Sequence, residues 1–168
     1  DKFYLPRGII LDRDLSTVVP YDSSKVAEYV SSSWYDYEQG DDAGLHPYEG
    51  ETKPNYSGPP APWTYLQGEK KYSWLKSPRW RGKAVEVGPL ARLAMLYARG
   101  HEPTRALADQ ALATLDLPLT AIFSTLGRTA ARAIESKLFA DQMMGWLDQL
   151  MANIKAGELS VHNDALWE

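Results

Sequence analysis

The sequence predicts a mainly α fold with irregular aromatic-rich loops and one or two short strands. Apolar residues recur at three- and four-residue steps through the second half of the chain, which is typical of helices that pack on one side. Prolines and aromatic residues crowd the middle of the chain, where the prolines exclude long helices. Of the 168 residues, 44% are hydrophobic and 24% are charged, as in ordinary globular domains.

Residues 1–33 are the first of three zones. Residues 8–11, with the sequence GIIL, predict a short strand. Residues 22–24 supply acidic and hydroxyl side chains that suit a helix N-terminus, and we place that helix through about Ser32. The apolar face of this predicted helix contains Val26, Tyr29 and Val30.

Residues 34–82 are the second zone, which holds four of the six tryptophans, six tyrosines and six prolines. Disordered segments are poor in aromatic residues, so we expect an ordered, irregular segment pinned by buried rings. Each buried ring removes on the order of 150–250 Å² of surface from water. We interpret the zone as packing against the rest of a larger protein, and we keep a sugar- or peptide-binding face as the alternative.

Residues 83–168 are the third zone, for which we predict three helices. The first begins near Pro89 and ends at Gly100, and the second covers about residues 103–115. The third, at about residues 119–156, would be roughly 55 Å long at 1.5 Å per residue. A domain of this size has a radius of gyration of only about 15 Å, so this helix would extend beyond any core that the chain builds alone.

Composition excludes several classes of function. The net charge is −4 and there is no basic stripe, so nucleic acid is not an expected partner. Cysteine is absent, which excludes disulfides, a thiol nucleophile and iron–sulfur ligation by this chain. The three histidines, at positions 46, 101 and 162, are too far apart in sequence for a local metal motif. We also expect neither a membrane-spanning stretch nor a signal peptide.

No common catalytic motif occurs in the sequence, since GxGxxG, GxxxxGK[ST] and GxSxG are all missing. Asp41 and Asp42, and likewise Glu49 and Glu51, are close in sequence, but we interpret them as solvated loop charges.

Two arginines of the third predicted helix share one face, because Arg128 and Arg132 are four residues apart. Glu135 follows three residues after Arg132 and is its predicted partner. One interpretation is a solvated helix face. The other is a set of buried arginines that make bidentate ion pairs inside a larger protein, and the small residues nearby favour it.

Five sequence blocks follow one another along nearly the whole chain. They are LPRG at 5–8, SWY at 33–35 with LHPYEGET at 45–52, KYSWLKSPRWRG at 71–82, EVGPLAR at 86–92, and STLGRTAARA at 124–133. In this order they resemble segments of nickel–iron hydrogenase large subunits, most closely the membrane-bound uptake type. The resemblance implies part of the large-subunit fold and identifies residues 1–168 as a single internal fragment of a larger domain.

The resemblance also implies an activity for the complete subunit. Large subunits of this family carry a nickel–iron centre with carbonyl and cyanide ligands, and a magnesium ion. They cleave dihydrogen heterolytically, with the proton passing to a terminal thiolate and the hydride to the metals. Their partner is a small subunit with iron–sulfur clusters, which by resemblance places the enzyme at the periplasmic side of a membrane. The metal ligands come as two CxxC pairs, and neither pair is present here.

We therefore expect no catalytic residue, no metal ligand and no cofactor bound by this fragment alone. Lys76 is the predicted supporting residue, near the magnesium and its waters, while Arg79 and Glu86 are candidates for a polar network under the site. Arg92, Arg128 and Arg132 are structural positions of the family motifs. The predicted partners are the small subunit, the remainder of the large subunit and, as substrate, dihydrogen.

Two other classes of function remain as alternatives. One is a non-catalytic helical scaffold or binding module related to hydrogenases. The other is a glycan-binding domain that uses the aromatic segment. A CxxC pair on each side of this region in the reading frame supports the enzyme. A glycan array tests the glycan-binding alternative.

Overall fold

The structure is a computed structural model, which describes residues 4–60 and 70–160. The chain divides into two compact units. The helical unit consists of residues 4–19 together with 87–160, and the aromatic unit consists of residues 20–60 and 70–86.

The helical unit begins with a two-stranded antiparallel ribbon. Strand β1, Ile9–Ile10, pairs with strand β2, Val18–Val19, with Ile9 opposite Val19. The strand predicted at residues 8–11 is therefore confirmed.

Three helices follow in the helical unit: α1 is Pro89–Ala98, α2 is Glu102–Thr114 and α3 is Thr125–Lys155. Helix α1 starts with its proline at the first helical position, directly after Gly88, whose φ of 86° needs a glycine. The first two helices lie where the periodicity predicts them. The third helix starts later than predicted, because Leu119–Ile122 forms a short 3-10 helix of its own. Ser124 then caps α3, since its side chain accepts a hydrogen bond from the Gly127 amide at 3.0 Å.

The core of the helical unit lies where α1 and α3 meet. Leu90 and Leu93 of α1 are buried against Ile122 of the 3-10 helix and Ala131 of α3. Partly buried side chains of Leu15, Leu112, Leu119, Phe123 and Ile134 pack around them. Two small residues of α3, Gly127 and Ala131, are buried, and both lie in the N-terminal half of that helix.

The aromatic unit contains four short strands. Strand β3, Val26–Tyr29, pairs antiparallel with β6, Ser77–Trp80, and Val26 lies opposite Trp80. Strand β4, Tyr35–Asp36, pairs with β5, Lys53–Pro54. Together with β1 and β2, the described residues form six short strands, more than the one or two predicted.

The helix predicted through Ser32 is wrong. Only Ser23–Lys25 is helical, as a 3-10 turn capped by Asp22, and the chain then enters β3. β-Branched and aromatic residues such as Val26 and Tyr29 suit a strand as well as a helix face, and here a distant strand supplies the hydrogen-bonding partner.

Tryptophans hold the irregular part of the aromatic unit. Trp34 is buried, and its ring packs against the rings of Tyr56 and Trp74 at centroid distances of 4.8 and 5.2 Å. The Nε1 of Trp34 donates a hydrogen bond to the Lys71 carbonyl at 3.0 Å. Trp80 is also buried and donates from Nε1 to the Asp22 carbonyl at 3.0 Å. Trp63 and Tyr65 of the predicted aromatic segment lie outside the described residues.

Candidate functional site

Lys76, the first candidate of the sequence analysis, forms an ion pair in the aromatic unit. It directly precedes β6, and the pairing of β6 with β3 brings it to Glu28. The Lys76 Nζ donates to the Glu28 Oε2 at 2.9 Å, and both side chains are about three-quarters buried. The hydrogen bond with Glu28 raises the pKa of Lys76 and outweighs the opposing effect of burial. Lys76 is therefore an ammonium throughout the neutral range.

Tyr37 lies beside this ion pair. The Lys76 Nζ is 6.0 Å from the centroid of the Tyr37 ring. Only 5% of Tyr37 is exposed, and its buried hydroxyl has no hydrogen-bond partner among the described residues. Gly50 lies against this ring, where a Cβ would come within 3.0 Å of it. The Tyr37 ring thus lies to one side of the Lys76 ammonium, and Gly50 packs against that ring.

Lys71, which the sequence does not single out as a candidate, binds several groups of the neighbouring loop. The Lys71 Nζ lies 2.8 Å from the Asp36 Oδ1 and 2.6 Å from the Asp41 Oδ2, and it also donates to the Tyr35 carbonyl. Burial lowers the pKa of Lys71, but the hydrogen bonds with Asp36 and Asp41 outweigh burial, so that its pKa lies above the ordinary value. Asp41 is thus paired with Lys71 and is not the purely solvated loop charge that the sequence predicts.

Arg79 and Glu86 occupy different parts of the aromatic unit. Arg79 lies in β6 opposite Ala27, and its Nη1 donates to the carbonyl of the preceding Pro78 at 2.8 Å. Its side chain does not join the ion pair of Lys76. Glu86 is exposed at the C-terminal end of the unit.

Arg92 makes a bidentate ion pair with Glu135, which is the kind of arginine pair that one interpretation of the sequence predicts. Its Nε donates to the Glu135 Oε1, and its Nη2 donates to the Glu135 Oε2 at 2.8 Å, which ties α1 to α3. The predicted pair of Glu135 with Arg132 is wrong, because the carboxylate binds the planar guanidinium of Arg92 instead. Arg128 and Arg132 are both exposed in this chain.

The described histidines serve structural contacts. The His101 Nδ1 lies 2.8 Å from the Thr104 hydroxyl at the start of α2, and burial lowers the pKa of His101. The His46 Nδ1 accepts a hydrogen bond from the Tyr48 amide at 3.2 Å. His162 lies outside the described residues.

Metal-ligating side chains do not converge in the described part of the chain. Within residues 4–60 and 70–160, no group of three or more His, Cys, Asp or Glu side chains is arranged to hold a metal ion. The whole sequence contains no cysteine. These residues therefore do not fit the direct ligand set of a thiolate-bound metal centre.

Known sequences resemble this chain over almost all of its length. The family profile of the nickel-dependent hydrogenases matches residues 1–168. The uptake hydrogenase large subunit of Bradyrhizobium diazoefficiens is 47% identical over 98% of this chain, and the hydrogenase-1 large chain of Escherichia coli is 38% identical over the same share. In each case the chain spans 29% of the relative's length.

A solved structure resembles the fold as well. The NiFeSe hydrogenase of Desulfomicrobium baculatum superposes with a TM-score of 0.60 and 29% sequence identity over 88% of this chain. The superposed region is 28% of that protein's chain. In the described residues of the present chain, no helix is both long and apolar enough to cross a bilayer.

Proposed function

The chain belongs to the nickel-dependent hydrogenase family, and we propose that it is a scaffold portion of an uptake hydrogenase large subunit. In its complete form this subunit would oxidise dihydrogen to two protons and two electrons. One observation carries the proposal: the family profile matches all 168 residues, and an uptake large subunit shares 47% of the residues over 98% of the chain. The family identified from the five sequence blocks is thereby confirmed.

The complete protein would contain more than this chain supplies. We propose a nickel–iron centre with carbonyl and cyanide ligands, a magnesium ion, and a small subunit with iron–sulfur clusters at the periplasmic side of a membrane. Because this chain has no cysteine, any thiolate ligands of the metals would belong to other parts of the subunit. The chain would thus hold and position the site from outside the metal coordination sphere.

Lys76 is the residue through which this support would act. An ammonium has three N–H donors, and Glu28 takes one of them in the described residues. The Glu28 carboxylate and the Tyr37 ring fix the position of the Nζ and keep it charged. We propose that the remaining donors hold waters or carboxylates of the polar network near the magnesium. Arg79 and Glu86 would contribute to the same network from β6 and from the end of the unit.

The activity itself is tested with the complete large subunit assembled with its small subunit. We expect bound nickel and hydrogen-dependent reduction of an artificial electron acceptor. A complete assembly that binds no nickel and consumes no hydrogen would contradict the proposed function.

The role of Lys76 is tested by the substitution Lys76→Met in that assembly. Loss of a residue that supports a metal site typically costs about 10- to 100-fold in metal affinity or activity. We expect magnesium content and hydrogen turnover both to fall by such a factor.

Lys53→Met is the matched control, because Lys53 is exposed and its ion pair with Glu38, at 2.6 Å, is also exposed. We expect this variant to behave like the unchanged enzyme. Unchanged magnesium content and turnover in Lys76→Met would reject the assignment of Lys76 while leaving the proposed activity intact.

The two alternative functions receive no support from the relatives reported above. All of those relatives are hydrogenase subunits, and none is described as a scaffold or a glycan-binding protein. In the aromatic unit, the Trp34 and Trp80 rings are buried and take no part in a stacking face for sugars, whereas Tyr48 and Trp74 are exposed.

A further inference from the structure

Helix α3 is covered by its own unit over only part of its length. The buried residues of this helix are Gly127, Ala131 and Leu138, all in its N-terminal half. From Met143 to Lys155 every residue of the helix is exposed. At 1.5 Å per residue, this exposed part is about 20 Å long.

The exposed part of α3 carries a continuous apolar surface, which we call the overhang face. It consists of Met143, Met144, Leu147, Leu150, Met151 and Ile154, which are 47% to 65% exposed. At about 100° per residue, these six side chains lie within an arc of about 120° on one side of the helix. No charged side chain lies inside this arc, since Asp141 and Asp148 project from other sides of the helix. A continuous exposed surface of this kind marks an interaction site.

The overhang face does not extend the core of the helical unit. Leu138 and Ala131, which are buried against the other helices, lie roughly opposite to it around the helix axis. Trp146 marks the border, because its ring packs on Tyr4 and Phe139 at centroid distances of 5.4 and 6.1 Å. Any element that covers the overhang face therefore forms a separate layer, on the other side of α3.

We propose that apolar side chains of the same polypeptide, from the part of the large subunit outside residues 1–168, cover the overhang face. This inference rests on the proposed function. The relatives that this chain matches are more than three times its length, and the matching region is 28% of the solved hydrogenase chain. An uncharged surface of methionine, leucine and isoleucine suits a permanent layer within one folded chain, because such a layer has no need for charged groups at its centre. Helix α3 would then be an interior helix with packed layers on two opposite sides.

The methionines of this region provide a test that needs no substitution. Exposed methionine is oxidised by dilute hydrogen peroxide, whereas buried methionine resists oxidation. Met143, Met144 and Met151 report on the overhang face, and Met95 of α1, only 5% exposed, is the internal reference for a folded helical unit. The oxidation rate of each is measured by peptide mass spectrometry in the complete large subunit, alone and assembled with its small subunit.

We expect the three methionines of the overhang face to be oxidised at least about tenfold more slowly than in the denatured protein, in both samples. Oxidation as fast as in the denatured protein, while Met95 stays protected, would show that the face is open and would reject the proposal. Protection that appears only in the assembly would assign the face to the small subunit. Protection that depends on the concentration of the large subunit would assign the face to a second copy. Both of these outcomes also overturn the proposal.

If Met95 is oxidised in the large subunit alone, the helical unit is not folded there, and a second measurement is needed to identify what covers the overhang face. A photo-crosslinking amino acid is placed at Leu150 in the complete assembly, and the crosslinked peptides are sequenced. We expect peptides of the same large subunit from outside residues 1–168, and peptides of any other chain would overturn the proposal. Hydrogen uptake is measured on the same assembly. If the methionines are protected or the crosslink is to the large subunit, but no hydrogen is taken up, this inference stands and the proposed function is rejected. If hydrogen is taken up but the overhang face is open, the proposed function stands and this inference is rejected.

Discussion

Asp36 shows how single side chains stabilise the irregular segment of the aromatic unit. Its carboxylate accepts hydrogen bonds from the Lys71 Nζ at 2.8 Å and from the Asn55 Nδ2 at 2.6 Å. Both hydrogen bonds lower the pKa of Asp36, and the bond from Lys71 has the larger effect. The folded protein therefore holds Asp36 ionised at pH values where the unfolded chain already binds a proton.

The sign of the resulting pH dependence follows from this lowered pKa. The stabilisation by ionised Asp36 is complete well above the unfolded-state pKa of about 3.9, and it is lost as pH falls through the lower folded-state pKa. We expect the unfolding midpoint of this chain in urea to drop as pH falls from about 5 to 3, and Asp36→Asn to reduce this drop. Asp42→Asn is the control, because Asp42 is exposed, and it should keep the full pH dependence. Equal slopes for both variants would contradict the assignment.

The site residues were only partly predictable. Lys76 was selected from its place in a family motif, but its partner Glu28 is 48 residues away, and no local spacing connects the two. Glu135 was assigned to Arg132 from helical spacing, yet the bidentate geometry of Arg92, from another helix, holds it. Side-chain pairs between distant segments depend on the fold, and a sequence pattern alone predicts only neighbours within one element.

At the scale of elements, Gly127 sets where α3 can begin. A Cβ at this position would lie 1.9 Å from the carbonyl oxygen of Ile122, so that only glycine lets the 3-10 helix turn directly into α3. Gly145 of the same helix is different, because a Cβ there meets nothing within 4 Å in the described residues.

These two glycines form a matched pair for mutagenesis in the 168-residue chain. We expect Gly127→Ala to lower the free energy of unfolding by about 2 kcal/mol, since the backbone of Ile122 must move. Gly145→Ala should raise it by up to about 1 kcal/mol, through better helix propensity. Urea unfolding followed by circular dichroism measures both effects. A neutral Gly127→Ala would show that the junction relaxes freely.

Helices were more predictable than strands. The three- and four-residue periodicity located α1 and α2, since proline and glycine at their ends also signal the boundaries locally. The error at β3 has a clear cause: Val26–Tyr29 becomes a strand because Ser77–Trp80 pairs with it, and that partner lies far along the chain. Strand pairing is a non-local interaction, so local preference does not determine it.

At the scale of the whole molecule, the overhang face leaves apolar side chains of the 168-residue chain exposed, which has a measurable consequence. We expect this chain alone to self-associate in sedimentation experiments at micromolar concentration, because a large apolar surface remains in water. The double substitution Leu147→Glu and Leu150→Glu should shift it towards the monomer. Gln149→Glu adds a charge on the same turn but outside the face, so it should leave the association unchanged. Association that persists in the double variant would point to another surface.

Function at this scale came from the order of sequence blocks and not from chemistry within the chain. The composition gave no reason to expect nucleic acid as a partner and contains no thiol, but it suggested no reaction. Metal-ligating side chains do not converge within residues 4–60 and 70–160, so sequence reasoning has no catalytic pattern to find there, and the activity proposed above rests on the likeness to longer proteins.

The helical unit is assembled from two stretches of chain, residues 4–19 and 87–160, that are separated by the whole aromatic unit. This arrangement has a consequence for biosynthesis. Strand β1 contacts α1, and the buried residues of α3 extend to Leu138, so the ribosome must add roughly 120 residues after β2 before the unit is complete. At about 5–20 residues per second, this delay lasts about 6–24 s. During that time the aromatic unit emerges in full and is able to fold first, while residues 4–19 wait for their helices.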